Sequence, residues 1–374
     1  MGHEGCTIGV NTPALPGCDA GYEAALISSP GEADALLEAV KARAPGRRKT
    51  YTPAFLIASS TNGWSPRICG VTCGGQAVGL VYAKEKTIVG IRTGLVYADA
   101  VLDNLVAAIP GHEANVLSAA LKILINLPGV HGLRISIPPA GYERRVIAEL
   151  QSAAQIDVAH RPVRNHSMLR FPATYDEFLA GLGNRTRRNF RYYRKKFENS
   201  ANVYEETVSF PEFKRAAEEL LRRRVVGASP SGLARAIAVL SAVDAPILTG
   251  LRTKSGAWIS ILGGWYAGAD PVVFMQMNNE RDYPDSSLAV VLRSWLIEKA
   301  IAEGASGLIF WAGVGGPLRK YAVPLATLAA YLDKSNRAWR LVRQAAAKLS
   351  PYLPPSRFPL LDWVIPRPGT HPGQ

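Results

Sequence analysis

The chain has 374 residues, 48% of them apolar, enough to bury a large core and to form two domains rather than one. Its formal charge of +13 would suit a protein that coats polyanions, but two short stretches carry twelve of those charges and the remainder is close to neutral. Four cysteines without a CxxC pair and six histidines without an HExxH or mixed cluster argue against a metal site, and no 18-residue apolar run marks a membrane span.

Residues 1–20 are rich in Gly, Pro and small side chains and read as a flexible lead-in. The run RICGVTCGGQAVGLVY predicts a hairpin turning at Gly74-Gly75. A strand over TIVGI, a helix from about Glu113 to Ile125 and a strand LRISI follow. Cys69 and Cys73 lie four apart in the first strand, too far apart for an easy bridge, so reduced thiols are expected. With no export signal in view, a cytoplasmic protein is expected, and a peripheral position on the inner face of the membrane stays open.

The stretch GNRTRRNFRYYRKKFEN holds seven cations and one acid, Glu198. Thr186, Phe190, Tyr193 and Phe197 fall at i, i+4, i+7 and i+11, so the spacing predicts a helix with Asn184 as its N-cap. Arg185 and Arg187 then sit in the first turn, with Arg188 just behind, at the positive end of the macrodipole, where an exposed cation is disfavoured by roughly 0.3–1 kcal/mol. Two readings account for this: a solvated charged face, or a site at which Arg187, Arg188 and Arg191 hold an anion. That anion would be a ligand phosphate or carboxylate, or one of the acids Glu280 and Asp282.

The second half repeats the order of the first. ILTGLR turns at Lys254-Ser255-Gly256 into AWISILGGWY, VVFMQM follows, then a helix from about Ser287 to Ala302 and the strand LIFW. Leu288, Val291, Leu292, Trp295 and Leu296 form its apolar stripe, with Arg293, Glu298 and Lys299 mostly off it. Lys334 to Arg357 contains six cations and no acid, which predicts a basic helix, and the remainder to residue 374 reads as a Pro-rich tail. Gly313-Val314-Gly315 supplies only half of a GxGxxG fingerprint, with Leu318 where the last glycine belongs, and no P-loop, GxSxG or kinase signature occurs. The junction QMNNERDYPDSSLAVVL gathers Glu280, Asp282 and Asp285 ahead of a helix start, whose outward amides suit a pyrophosphate while the carboxylates suit proton abstraction from an amine.

The order of RTRRNFRYYRKKFE, a hairpin, a strand and YPDSSLAVVLRSWLIEKAIAEGASGLIFWAGVGGPLRKYAV resembles the C-terminal half of the CelD/BcsL-type acetyltransferases of the GNAT superfamily. The pairing of two such units is similar to that of the FemAB-like aminoacyl transferases. The glycine motif of ordinary GNAT enzymes is absent from the helix start, which reads Asp285-Ser286-Ser287. The resemblance implies an α/β (α+β) fold of two tandem GNAT-like domains, each a mixed sheet flanked by helices. Residues 21–165 would form a degenerate or substrate-shaping domain, 166–333 the catalytic domain, and 334–374 the basic helix and tail. The implied reaction is acyl transfer from acetyl-CoA or another acyl-CoA, without a metal, to an amine or hydroxyl of a sugar, envelope precursor or small metabolite.

In that scheme Glu280 or Asp282 takes the proton, an amide near Met277 holds the oxyanion, and Tyr321 protonates the leaving thiolate. Asp285, Ser286 and Ser287 hold the donor, and Arg187, Arg188, Arg191, Trp311, Arg319 and Lys320 bind the substrate or another anion. Aminoacyl-tRNA is the alternative donor, disfavoured because no long heptad arm occurs. A non-catalytic anion-binding or membrane-surface protein is the alternative outside enzymes.

Overall fold

The computed structural model describes residues 8–10, 21–43, 63–99, 105–138, 141–154, 156–163, 166–223, 229–243, 245–311, 313–325 and 327–334. Within them, the first half supplies β1 (Ile8–Val10), β2 (Tyr22–Leu26), β3 (Trp64–Cys73), β4 (Gln76–Ile88), β5 (Ile91–Asp99), β6 (Val106–Ala108), β7 (Gly132–Ile137) and β8 (Ile156–Val163). Its helices are α1 (Pro30–Arg43), α2 (Glu113–Asn126) and α3 (Tyr142–Ala154). The second half supplies β9 (Ser167–Arg170), β10 (Val203–Glu205), β11 (Ile247–Arg252), β12 (Trp258–Ala267), β13 (Asp270–Asn278), β14 (Gly307–Phe310) and β15 (Val323–Pro324). With them come α4 (Tyr175–Gly181), α5 (Asn184–Asn199), α6 (Phe210–Arg222), α7 (Pro230–Ser241) and α8 (Leu288–Ala302).

Each half is a mixed sheet flanked by helices, the tandem arrangement that the resemblance implies. In the second sheet the order is β10-β11-β12-β13-β14-β9-β15. The last strand, β16 (Thr327–Lys334), does not stay with residues 166–325. It returns to the first sheet and lies antiparallel between β7 and β8. The basic helix and Pro-rich tail expected after residue 334 lie outside the described residues, as does most of the lead-in.

Two local expectations are corrected. TIVGI is not a strand: Val89 and Gly90, at φ +49° and +78°, turn β4 into β5, so the segment is the tip of a second hairpin. The thiols also divide, since Cys73 is disulfide-bonded whereas Cys69 is free and buried, its pKa pushed up to about 12 by desolvation.

The second sheet buries both faces. On one, Phe213, Ala217 and Leu220 of α6 and Leu240 of α7 pack on Ile261, Trp265 and Val272. On the other, Phe190 and Phe197 of α5 and Leu288, Val291 and Leu292 of α8 pack on Leu262, Val273, Leu308 and Phe310. The stripe read from the sequence is therefore the docking face of α5: Thr186, Phe190 and Phe197 are buried and Tyr193 packs beside them. Burying a phenylalanine contributes roughly 1.5–3 kcal/mol, enough to outweigh a few misplaced surface charges.

Candidate functional site

Strands β13 and β14 are parallel but pair at only two positions, Val272 with Ile309 and Val273 with Phe310. The Trp311 amide makes one last bond to the Val273 carbonyl, at 3.0 Å. A bulge coincides with this point, because the β12–β13 register passes from Gly264–Val273 to Gly263–Met275 and leaves Phe274 over. Beyond it β13 runs on to Asn278 without β14, and a gap opens between the two strands.

The direction of the amides in this gap follows from the ladder. Asn279 donates to the Ile259 carbonyl, and Met277 is paired with Ile261 two residues further on, so the Met277 amide turns toward β12. The expected oxyanion donor is thus spent within the sheet. The amides directed into the gap are those of Gln276 and Asn278.

Among the described residues one cation spans the gap. Arg293, on the second turn of α8, donates from Nε to Gln276 Oε1 at 2.8 Å and lays its guanidinium over the Phe310 ring, 5.3 Å from the centroid. Gln276 is itself oriented, since its amide nitrogen donates to Asn278 Oδ1, which also accepts from the buried Ser260 hydroxyl. Desolvation lowers the Arg293 pKa, and Glu280 opposes that shift. Nearly every side of α8 is buried, including Leu288, Val291, Leu292, Ser294, Trp295, Leu296 and Ile297. The sequence signal for Arg293 was therefore a lone guanidinium in an apolar run, which a stripe analysis assigns to the outside.

Glu280 is exposed, with no hydrogen-bond partner among the described residues. Asp282 is occupied: it accepts from Arg223 at 2.5 Å and from the buried Asn279 side chain at 3.0 Å. Asp282 is thus engaged, whereas the carboxylates of Glu280 and Asp285 carry no hydrogen bond among the described residues.

The helix start differs from a simple cap. Pro284–Ser286 form a 3-10 turn, and Ser287 stands in the left-handed region at φ +42° with no side-chain cap bond. A non-glycine residue there costs about 1–2 kcal/mol. Val290 and Val291 both return their amides to the Ser287 carbonyl, leaving those of Leu288 and Ala289 as the orphan donors. Lys196 reaches across from α5 to the Asp285 carbonyl at 3.0 Å, so an ammonium sits beside the same helix start.

Gly183, not Asn184, is the N-cap of α5. Its amide donates to Tyr321 Oη at 2.6 Å, and the Lys320 ammonium lies over the Tyr321 ring. Tyr321 thus serves the start of α5 as an acceptor, a bond that leaves its own proton unspent. Burial tends to raise its pKa, yet the Gly183 amide, Lys320 and Thr186 together hold the phenol below its ordinary range. Arg187 bonds back to the Ala180 carbonyl in the last turn of α4 and to Asn184 Oδ1. The negative end of one helix therefore offsets a cation at the start of the next.

The remaining cations face outward. Asn184, Arg187, Arg188, Arg191, Tyr192 and Lys195 line a surface concavity of ≈310 Å³, and Tyr192 is 57% exposed within it. Among the described residues no carboxylate pairs with Arg187, Arg188, Arg191 or Lys195. Neither Glu280 nor Asp282 is their counter-ion. Arg194, one position away, is instead held by Glu298 at 2.5 Å and Glu198 at 3.0 Å, tying α5 to α8. The Trp311 side chain, at the closed end of the gap where its amide bonds Val273, joins a cluster with Trp265, Phe274 and His166, whose Nδ1–H donates to the Trp311 carbonyl. Arg319 is exposed near Lys320. No group of three or more metal-ligating side chains occurs among the described residues, and no helix there is long and apolar enough to cross a membrane.

No protein-family model matches the chain, and no curated protein does. Solved structures do. FemX is similar over 84% of this chain and 98% of its own, at 11% identity and a TM-score of 0.56. L-PGS from Bacillus licheniformis is similar over 91% and 98%, at 11% identity and 0.54. The C-terminal domain of a putative lysylphosphatidylglycerol synthetase from Agrobacterium fabrum is similar over 86% and 97%, at 9% identity and 0.52. At such identities the likeness is one of fold, and it spans both halves.

Proposed function

We propose that the chain is an acyltransferase that passes an acyl group from a coenzyme A thioester to an amine, with the gap between β13 and β14 as its reaction site. The observation that carries this reading is the parting of the two strands beside the start of α8. That parting leaves the Gln276 and Asn278 amides open to a thioester carbonyl and the Leu288 and Ala289 amides open to a pyrophosphate. Lys196 adds positive potential at the pyrophosphate end. Glu280 receives the nucleophile's proton, directly or through one water, and the C–N bond forms as the C–S bond breaks. Asp285 and Ser286 shape the turn that presents the donor.

Calorimetry with acetyl-CoA and longer acyl-CoA species tests this. The wild-type protein should bind at least one of them. Ser287→Glu, which places a carboxylate among the orphan amides, should weaken binding at least about tenfold. Equal affinity in the variant, or no acyl-CoA binding by the wild type, refutes the reading.

A second reading draws on the concavity of α5, whose unpaired cations and exposed Tyr192 suit a phosphate-rich donor such as an aminoacyl-tRNA. Binding of bulk tRNA with a steep salt dependence, in a protein that ignores acyl-CoA, favours it.

A further inference from the structure

Arg293 is bound on one side only. Its Nε is used by Gln276 and its flat face by Phe310, while no described acceptor meets its two terminal nitrogens. A guanidinium oriented in this way presents a planar edge with parallel donors, which matches a carboxylate or a phosphate. Glu280 decides between them. It stands exposed two residues past Asn278, where β13 ends at the mouth of the gap, and it is not paired with Arg293, on which its charge nevertheless acts. A doubly charged phosphate brought to Arg293 would be repelled by that carboxylate, whereas a molecule bearing one carboxylate and one ammonium group would satisfy both side chains.

We propose that the acceptor is a carboxylate-bearing amine of the amino-acid class, its carboxylate on the free edge of Arg293 and its ammonium on Glu280. This deepens the acyl-transfer reading and rests on it for the chemical step. One ammonium proton passes to Glu280 and on to solvent. The neutral nitrogen attacks the thioester carbonyl, the C–N bond forms, and the C–S bond breaks with the electron pair going to sulfur. The second proton, lost as the adduct collapses, leaves on the thiol. The chain Ser260, Asn278, Gln276, Arg293 is the positioning device, because each member holds the next.

The test is calorimetry on the full chain without any acyl donor, using the twenty amino acids and, for each that binds, the matched amine lacking the carboxylate. Phenylalanine would be paired with phenethylamine and lysine with cadaverine. At least one amino acid should bind, its decarboxylated partner about tenfold to a hundredfold more weakly, the range expected for a lost charge-assisted bond. Arg293→Met should show the same loss. Binding by no amino acid, equal binding by the matched amine, or undiminished binding by a folded Arg293→Met overturns the proposal; if that variant fails to fold, the ligand pairs on the wild type still decide. Acyl-CoA affinity measured on the same preparation separates the two readings. Donor binding without amino-acid binding removes only this proposal, and amino-acid binding without donor binding removes the acyl-transfer reading instead.

Discussion

On the outer face of α5, Arg188, Arg191 and Lys195 stand exposed around a concavity with no carboxylate upon them, while Arg293 of the neighbouring α8 is half-buried, tied to Gln276 and close to Glu280. The contrast teaches that a cation's surroundings, not its presence, state its task. Exposed cations in water cost the fold little and suit partners that carry many phosphates. A guanidinium taken partly out of water has to be compensated, and its unfilled edge then selects one small group of matching shape. Arg194 marks a third case, since two carboxylates complete it and it serves as a strut between α5 and α8.

The comparison can be broken most forcefully at Arg293. Arg293→Met should lower kcat/KM for an acceptor amine about a hundredfold, near 3 kcal/mol of transition-state stabilisation at 1.4 kcal/mol per tenfold. The melting temperature should move little, because the lost contacts are offset by the burial cost removed with the charge. Steady-state kinetics beside a melting curve checks this. A large fall in Tm with kinetics intact would make Arg293 another strut and erase the distinction.

Tyr321→Phe probes the start of α5 and should destabilise the fold by about 1 kcal/mol in urea unfolding, since the Gly183 amide loses its acceptor. A phenol depressed in the folded state contributes stability fully above its unfolded pKa and loses it as pH falls through the folded value. The gap in Tm between wild type and Tyr321→Phe should therefore widen as pH rises toward 10.0. Turnover at neutral pH should be unchanged within about twofold if Tyr321 is a helix cap, and a drop of about a hundredfold would restore it as an acid.

The smallest expected change sharpens the other side. Replacing Arg188, Arg191 and Lys195 together by alanine should leave stability unchanged or raise it by roughly 0.3–1 kcal/mol, Arg188 being the one of the three nearest the positive end of the helix. Elution from heparin should shift to lower salt at the same time. A destabilised triple variant would mean that these side chains have internal partners after all.

Much of this molecule was legible in the order of its residues. The α5 stripe, the hairpins at Gly74-Gly75 and Lys254–Gly256, and the helix–strand pairs α2–β7 and α8–β14 depend on spacings within a turn or a pleat, which local sequence carries. So does the junction at Glu280 to Ser287, where capping residues and acids are neighbours in the chain. What lay beyond reach were decisions made across distance. Asp282 and Glu280 are carboxylates two residues apart, and the arrival of Arg223 from a remote helix end engages the one and not the other. Met277 sits in the expected strand, but its amide is spent because the β12 register gives it a partner. Arg293 was hidden because α8 is buried on nearly all sides, so no apolar stripe remains to tell inside from outside. Likewise no element is predicted over residues 327–334, and the place of β16 between β7 and β8 follows from backbone pairing with residues more than 160 positions away. Periodicity determines which face of an element is apolar, while hydrogen-bond register and charge pairing between remote segments decide which polar groups are left free to act.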